Sequence, residues 1–174
     1  MGLRHDAEPV LVVTTGGTID KVYFDARSHY EVGESVVDDI LRQARVRLAW
    51  QLLPVLRKDS LELDDADRIA IRDAIAGHGA RRVVVTHGTD TMTATARVLE
   101  ALPGRTIVLT GSLAPARFAE TDAIFNVGMA FAAVQTLSEG VYIAMNGQVF
   151  AAADVRKDPQ RNEFVRLADT PNAS

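Results

Sequence analysis

Three short segments of the chain join threonines to glycines: Thr14-Thr15-Gly16-Gly17-Thr18, His87-Gly88-Thr89-Asp90-Thr91 and Thr110-Gly111-Ser112. A threonine hydroxyl can donate or accept a hydrogen bond and, beside a base, can attack a carbonyl carbon. Neighbouring glycines let the backbone come close to a ligand. Asp90 adds a carboxylate to the set. Hydroxyls, backbone N–H groups and one carboxylate suit a small polar substrate, not a large apolar ligand. Each segment alone also reads plainly as a tight turn or a helix cap. His87 reads as a structural histidine of its turn.

Each segment follows a short β-branched run, at residues 10–13, 82–86 and 106–110, which predicts three buried strands. Further strands are predicted over residues 49–56, where Pro54 cannot donate to a ladder, and over residues 141–145. Asn146-Gly147 then signals a tight hairpin into residues 148–150. Val36, Val37, Ile40, Leu41 and Ala44 form a helical stripe behind a Ser35–Asp38 capping box. A second stripe runs from an Asp64 cap to Gly77, and a third from Met92 to Leu102. Residues 123–137 are apolar almost all round, which predicts a largely buried helix. Residues 20–34 show no period and read as one long functional loop. From Asp158 onward the chain reads as a polar tail, disordered at its last residues.

Strands alternating with helices predict one α/β domain over residues 1–174, a mainly parallel sheet with helices on both faces, Rossmann- or flavodoxin-like. Ligands bind such sheets beyond the carboxyl ends of the strands, so the three segments should share one rim.

Composition removes several function classes. The 174 residues are 47 % apolar and carry 19 Lys plus Arg against 23 Asp plus Glu, a formal net charge of −4. A mildly acidic chain without a basic run argues against nucleic acid as a partner. The lack of cysteine removes disulfides, thiol catalysis and thiolate metal sites. His5, His29, His78 and His87 are scattered, so no catalytic metal is expected. No run is long and apolar enough to span a bilayer, and residues 1–9 lack the apolar core of a secretory signal. A cytoplasmic protein with no membrane partner is the expectation. Gly16-Gly17-Thr18 lacks the lysine of a phosphate-binding loop, and neither G-x-G-x-x-G nor G-x-S-x-G occurs where it would matter.

Thr15-Gly-Gly-Thr18-Ile19 after the first strand, with His87-Gly-Thr-Asp-Thr-Met92 after a later one, resembles the bacterial-type L-asparaginase family. Tyr30-Glu-Val-Gly33, Lys58-Asp-Ser60, Thr110-Gly-Ser112 and Asp154-Val-Arg-Lys157 follow the same pattern, so the resemblance runs from about Val10 to Lys157. It implies hydrolysis of L-asparagine to L-aspartate and ammonia through a threonyl ester, with no cofactor. It implies Thr15 as the nucleophile, with the Tyr30 hydroxyl beside it on a closing loop. Thr89, Asp90 and Lys157 would form a second catalytic trio, in which neutral Lys157 takes the proton of Thr89. Asp59, Ser60 and Asp90, with the backbone at Gly16, Gly88 and Thr89, would hold the amino acid and the developing oxyanion. A homo-oligomer is implied as well, with Phe118, Phe125, Met129 and Phe131 as apolar surface that could equally fill the core.

The chain departs from the family in stopping where a second, C-terminal domain would begin, as a short single-domain form does. Leu61 stands where a polar side chain often helps hold the ammonium, and Ala153 where many members have arginine. The thinner ammonium site implies weak asparagine binding and little glutamine turnover. The alternatives are an amidohydrolase acting on glutamine or another small amino-acid amide, a catalytically idle amino-acid-binding domain, and a flavin- or phosphate-binding module of the same fold class.

Overall fold

A computed structural model describes residues 8–23 and 30–169. The reading of residues 1–7, the loop residues 24–29 and the disorder expected at 170–174 lie outside the described residues. From the N-terminus the elements are β1 (Val10–Gly16), β2 (Lys21–Tyr23), β3 (Tyr30–Val32), α1 (Val37–Gln43), β4 (Trp50–Lys58), α2 (Asp65–His78), β5 (Arg82–Thr86) and α3 (Met92–Leu99). They continue with β6 (Thr106–Thr110), α4 (Ala123–Thr136), β7 (Gly140–Met145), β8 (Gln148–Ala151), β9 (Val155–Asp158) and β10 (Glu163–Arg166).

Six strands make one sheet in the order β4-β1-β5-β6-β7-β8. The first five are parallel, and β8 returns antiparallel through the predicted Asn146-Gly147 turn. That turn needs positive φ at both residues, and they have 53° and 70°. From β1 the chain passes first to β4 on one side and later to β5 on the other, so the strand order reverses between β1 and β5. Crevices form beyond the strand ends at such a switch point.

Strand side chains alternate between two apolar layers. Leu11, Val13, Val83, Val85, Ile107 and Leu109 meet Ile71 and Ile75 of α2 and Met92, Ala96 and Leu99 of α3. Val10, Val12, Val84 and Val108 meet Val37, Ile40 and Leu41 of α1 and Val127, Ala130 and Phe131 of α4. Both faces are covered, which is why these strands read as unbroken apolar runs. Pro54 is tolerated because β4 is the sheet's edge strand.

Several elements differ from the sequence expectation. Residues 20–34 are not loop throughout, since β2 and β3 pair as an antiparallel hairpin. The Ser35–Asp38 capping box is absent. Asp20 Oδ1 accepts the Val36 N–H at 3.1 Å instead, while Asp38 turns to Arg42 and to the Trp50 indole. Helix α2 ends on left-handed Gly79, not at Gly77. One face of α4 is open, with Ile124 and Phe125 exposed and Phe131 buried. The polar tail instead holds β10, paired with β9 and pinned by fully buried Phe164. Among the described residues, no helix is long and apolar enough to cross a membrane.

Candidate active site

The three predicted segments do lie along one rim, but they do not all present the hydroxyls the sequence suggested. β1 continues past Val13 to Gly16 because β4 and β5 pair with it on both sides, Thr14 lying opposite Thr86 and Gly16 opposite Lys58. The period of two then carries Thr15 onto the same inward face as Leu11 and Val13. Thr15 has no accessible surface, and its hydroxyl donates to the Thr86 carbonyl at 2.8 Å. In this conformation the hydroxyl expected to attack is closed off from solvent. Thr18, just beyond the strand, opens a 3-10 turn through Asp20 and is only partly buried.

Two glycines bring the turns together. Gly17 has φ 91°, and a Cβ there would stand 2.4 Å from Gly88 N. A Cβ on Gly88 would stand 2.6 Å from both Cβ and Oγ of Ser60. Thr18 and Thr89 each lie one residue beyond the Gly17–Gly88 contact. Ser60 is wedged onto the same backbone, and its carbonyl accepts the Thr91 hydroxyl at 2.7 Å. A Gly17→Ala variant is expected to lose about 2 kcal/mol or more of stability, since its methyl meets backbone in a left-handed conformation. Denaturant unfolding beside Gly77→Ala, whose Cβ meets nothing within 4 Å, checks this; equal midpoints would contradict it.

Lys157 reaches the site from β9. Its Nζ donates to Thr89 Oγ1 at 2.7 Å and to Asp90 Oδ1 at 2.5 Å. The expected trio of Thr89, Asp90 and Lys157 is therefore assembled, with Thr89 nearly buried and the Asp90 side chain half exposed. Asp59 is committed elsewhere. It caps the 3-10 turn Ser60–Glu62 through the Leu61 N–H and pairs with Lys21 Nζ at 2.7 Å. Burial works to raise its carboxyl, but the Lys21 ammonium and the turn amide outweigh that and hold it below the usual carboxylate value. Ser60 Oγ is buried and has no hydrogen-bond partner among the described residues. Leu61 beside it is 72 % exposed.

Tyr30 stands on β3, half exposed, with its ring edge-on to Tyr23 and near Phe118 of the segment after β6. Gly16 closes β1 against the Lys58 backbone. His87 is fully buried, as its structural reading predicts, with Nδ1 2.6 Å from Gly88 O and Nε2 2.7 Å from Thr95 Oγ1. Burial pushes its pKa down to about 4. The sequence reading did not single out Lys21, the ion-pair partner of Asp59, and nothing in the sequence flagged it.

Residues 9–163 match the family described as "Asparaginase, N-terminal". A glutaminase-asparaginase from Acinetobacter glutaminasificans is 29 % identical over 162 residues, covering 85 % of this chain and 49 % of the relative. The L-asparaginase of Thermococcus kodakarensis is 30 % identical over 160 residues, covering 85 % and 47 %. Its solved structure superposes with a TM-score of 0.80 over 94 % of this chain and 52 % of that one. A structure described as "Probable Cytoplasmic L-asparaginase" from Campylobacter jejuni gives 0.76 at 26 % identity, over 91 % and 51 %. The chain thus spans about half the length of the curated relatives it matches. With the rim assembled at the switch point and nearly the whole chain matched, the protein belongs to the asparaginase family through that family's N-terminal domain.

Proposed function

We propose that the protein hydrolyses L-asparagine to L-aspartate and ammonia through a threonyl ester. The observation that carries this reading is the Thr89–Lys157–Asp90 cluster, a hydroxyl held at 2.7 Å from an amine. The contact has hydrogen-bond length, so the same pair in its other proton arrangement lets the amine accept the Thr89 proton. Thr15 is the attacking hydroxyl in this reading, released from the Thr86 carbonyl when substrate binds. Its oxygen bonds to the side-chain carbonyl carbon, the C–N bond breaks, and ammonia leaves with a proton from the hydroxyl network. Water then cleaves the ester and restores the threonine.

Asp90 has the charge to meet the α-ammonium, and the unpartnered Ser60 hydroxyl can donate to the α-carboxylate. The Gly17 N–H is taken by the Lys58 carbonyl, so the oxyanion falls to backbone N–H groups at Gly88 and Thr89, each such donor being worth about 3 kcal/mol. Asp59, tied to Lys21, drops out of the ammonium site, and exposed Leu61 cannot replace it. Weak asparagine binding and little glutamine turnover follow from that. A cytoplasmic location is part of the proposal, supported by the likeness to the Campylobacter protein. So is a homo-oligomer, supported by the open apolar face of α4.

Ammonia release from L-asparagine, with L-glutamine in parallel, tests the reading. Lys157→Met is expected to lower the asparagine rate by about a hundredfold or more, the usual worth of a positioned acid–base group. No release from either amide, with asparagine still binding by calorimetry, would favour the idle binding domain. Near-wild-type activity in Lys157→Met would remove the lysine from the mechanism.

A further inference from the structure

The β2–β3 hairpin shares no ladder with the main sheet, and a two-stranded hairpin is marginally stable on its own. What holds it against the rim is therefore side-chain contact. On β2, Lys21 Nζ lies 2.7 Å from Asp59 Oδ2, with both side chains about a quarter exposed. Just past β3, Glu34 pairs with Arg57, but both of those side chains are largely in solvent. Exposed ion pairs contribute little, and partly shielded ones more.

Asp59 is a fixed post. Its other carboxylate oxygen accepts the Leu61 N–H at 3.1 Å, and its backbone N–H is met by Glu62 in a reciprocal cap. The next residue, Ser60, is wedged against Gly88 and bonded to Thr91. The carboxylate therefore cannot follow a drifting lysine, and the pair registers the hairpin against the turn that carries Ser60. Lys21, Tyr30, Asp59, Leu61 and Glu62 line one cavity of about 450 Å³ there.

We propose that Lys21 and Asp59 are a positioning pair whose contact docks the β2–β3 hairpin on the Ser60 turn and so sets where the Tyr30 hydroxyl stands over the rim. The catalytic part of this inference rests on the amidohydrolase reading. The docking part does not.

The test is a double-mutant cycle with Lys21→Met and Asp59→Asn, the latter keeping a side chain that can cap the turn. Two readouts are taken, asparagine turnover and amide hydrogen exchange of Lys21–Tyr23 and Tyr30–Val32. Each single variant is expected to speed that exchange about three- to fivefold, the scale of one partly shielded ion pair. Each should lower kcat by a similar factor with KM changed less than twofold. The double variant should be no worse than the poorer single, and Lys21→Arg should restore both readouts.

Losses that multiply in the double variant would overturn the pairing. Unchanged exchange with a raised KM in Lys21→Met alone would show that the lysine meets substrate directly, and would also overturn it. A protein with no amidase activity but a coupled exchange cycle would sink the functional reading and leave the docking pair standing.

Discussion

Thr15→Val is expected to abolish ammonia release from L-asparagine, by a factor on the order of 10⁴ or more, while leaving the fold intact. Removing a nucleophile costs that much when only binding and oxyanion donors remain. Valine keeps the shape of a fully buried side chain and removes one hydrogen bond to the Thr86 carbonyl. That loss is about 1 to 2 kcal/mol of stability, or a few degrees in Tm for a domain of this size. Thr15→Ser, which keeps a hydroxyl, should retain part of the rate. Measuring both variants by steady-state kinetics and thermal unfolding separates loss of the hydroxyl from loss of the fold. A folded Thr15→Val with turnover within a few-fold of wild type would take Thr15 out of the mechanism.

The strand β1 shows where the sequence was legible and where it was not. The β-branched runs before Gly16, His87 and Gly111 announced buried parallel strands, and the sheet places their ends on one rim. The length of β1 was not legible. Its last residues, Thr14, Thr15 and Gly16, look like turn chemistry, and only pairing with β4 and β5 makes them strand. A strand ended at Val13 leaves Thr15 free at the tip, whereas one carried to Gly16 buries it.

The hairpin β2–β3 escaped for a related reason. Three residues a side give no usable period, and its hold comes from Lys21, Glu34 and Tyr30 meeting residues far along the chain. In β10 a single buried residue, Phe164, sits among charged neighbours, with its N–H donated to Asn146 Oδ1 at 2.8 Å. One apolar residue sets no pattern. Helix α4 misled in the other direction, because its composition is apolar on every face although the monomer covers only some of them.

Two buried titrating groups beside the rim give the second large effect. Asp20 is 1 % exposed where the chain leaves for the hairpin. Burial raises its pKa from 3.8 to about 6, against opposing hydrogen bonds from Val36 and Ser35 and the nearby charges of Arg117 and Arg57. In the folded protein it therefore keeps a proton that the unfolded chain has already lost. Its contribution is fully present below pH 3.8 and is lost as pH rises through about 6, a change of about 3 kcal/mol. His87 slopes the other way. Burial lowers its pKa from 6.5 to about 4, so its contribution is present above 6.5 and is lost as pH falls toward 4, again by about 3 kcal/mol.

The two slopes largely cancel between pH 4 and 6.5, so the wild-type protein should show a nearly flat stability there. Asp20→Asn keeps an oxygen for the Val36 N–H and should unmask the histidine, giving stability that rises with pH by about 3 kcal/mol across that window. His87→Gln should unmask the aspartate and give a fall of similar size. Urea unfolding of the three proteins at half-unit steps reads the slopes directly, whatever each substitution costs in absolute stability. Parallel flat profiles in all three would mean that neither group is held out of water as the structure places it. A wild-type profile that already rises steeply would mean that Asp20 is hydrated in the folded protein while His87 is not.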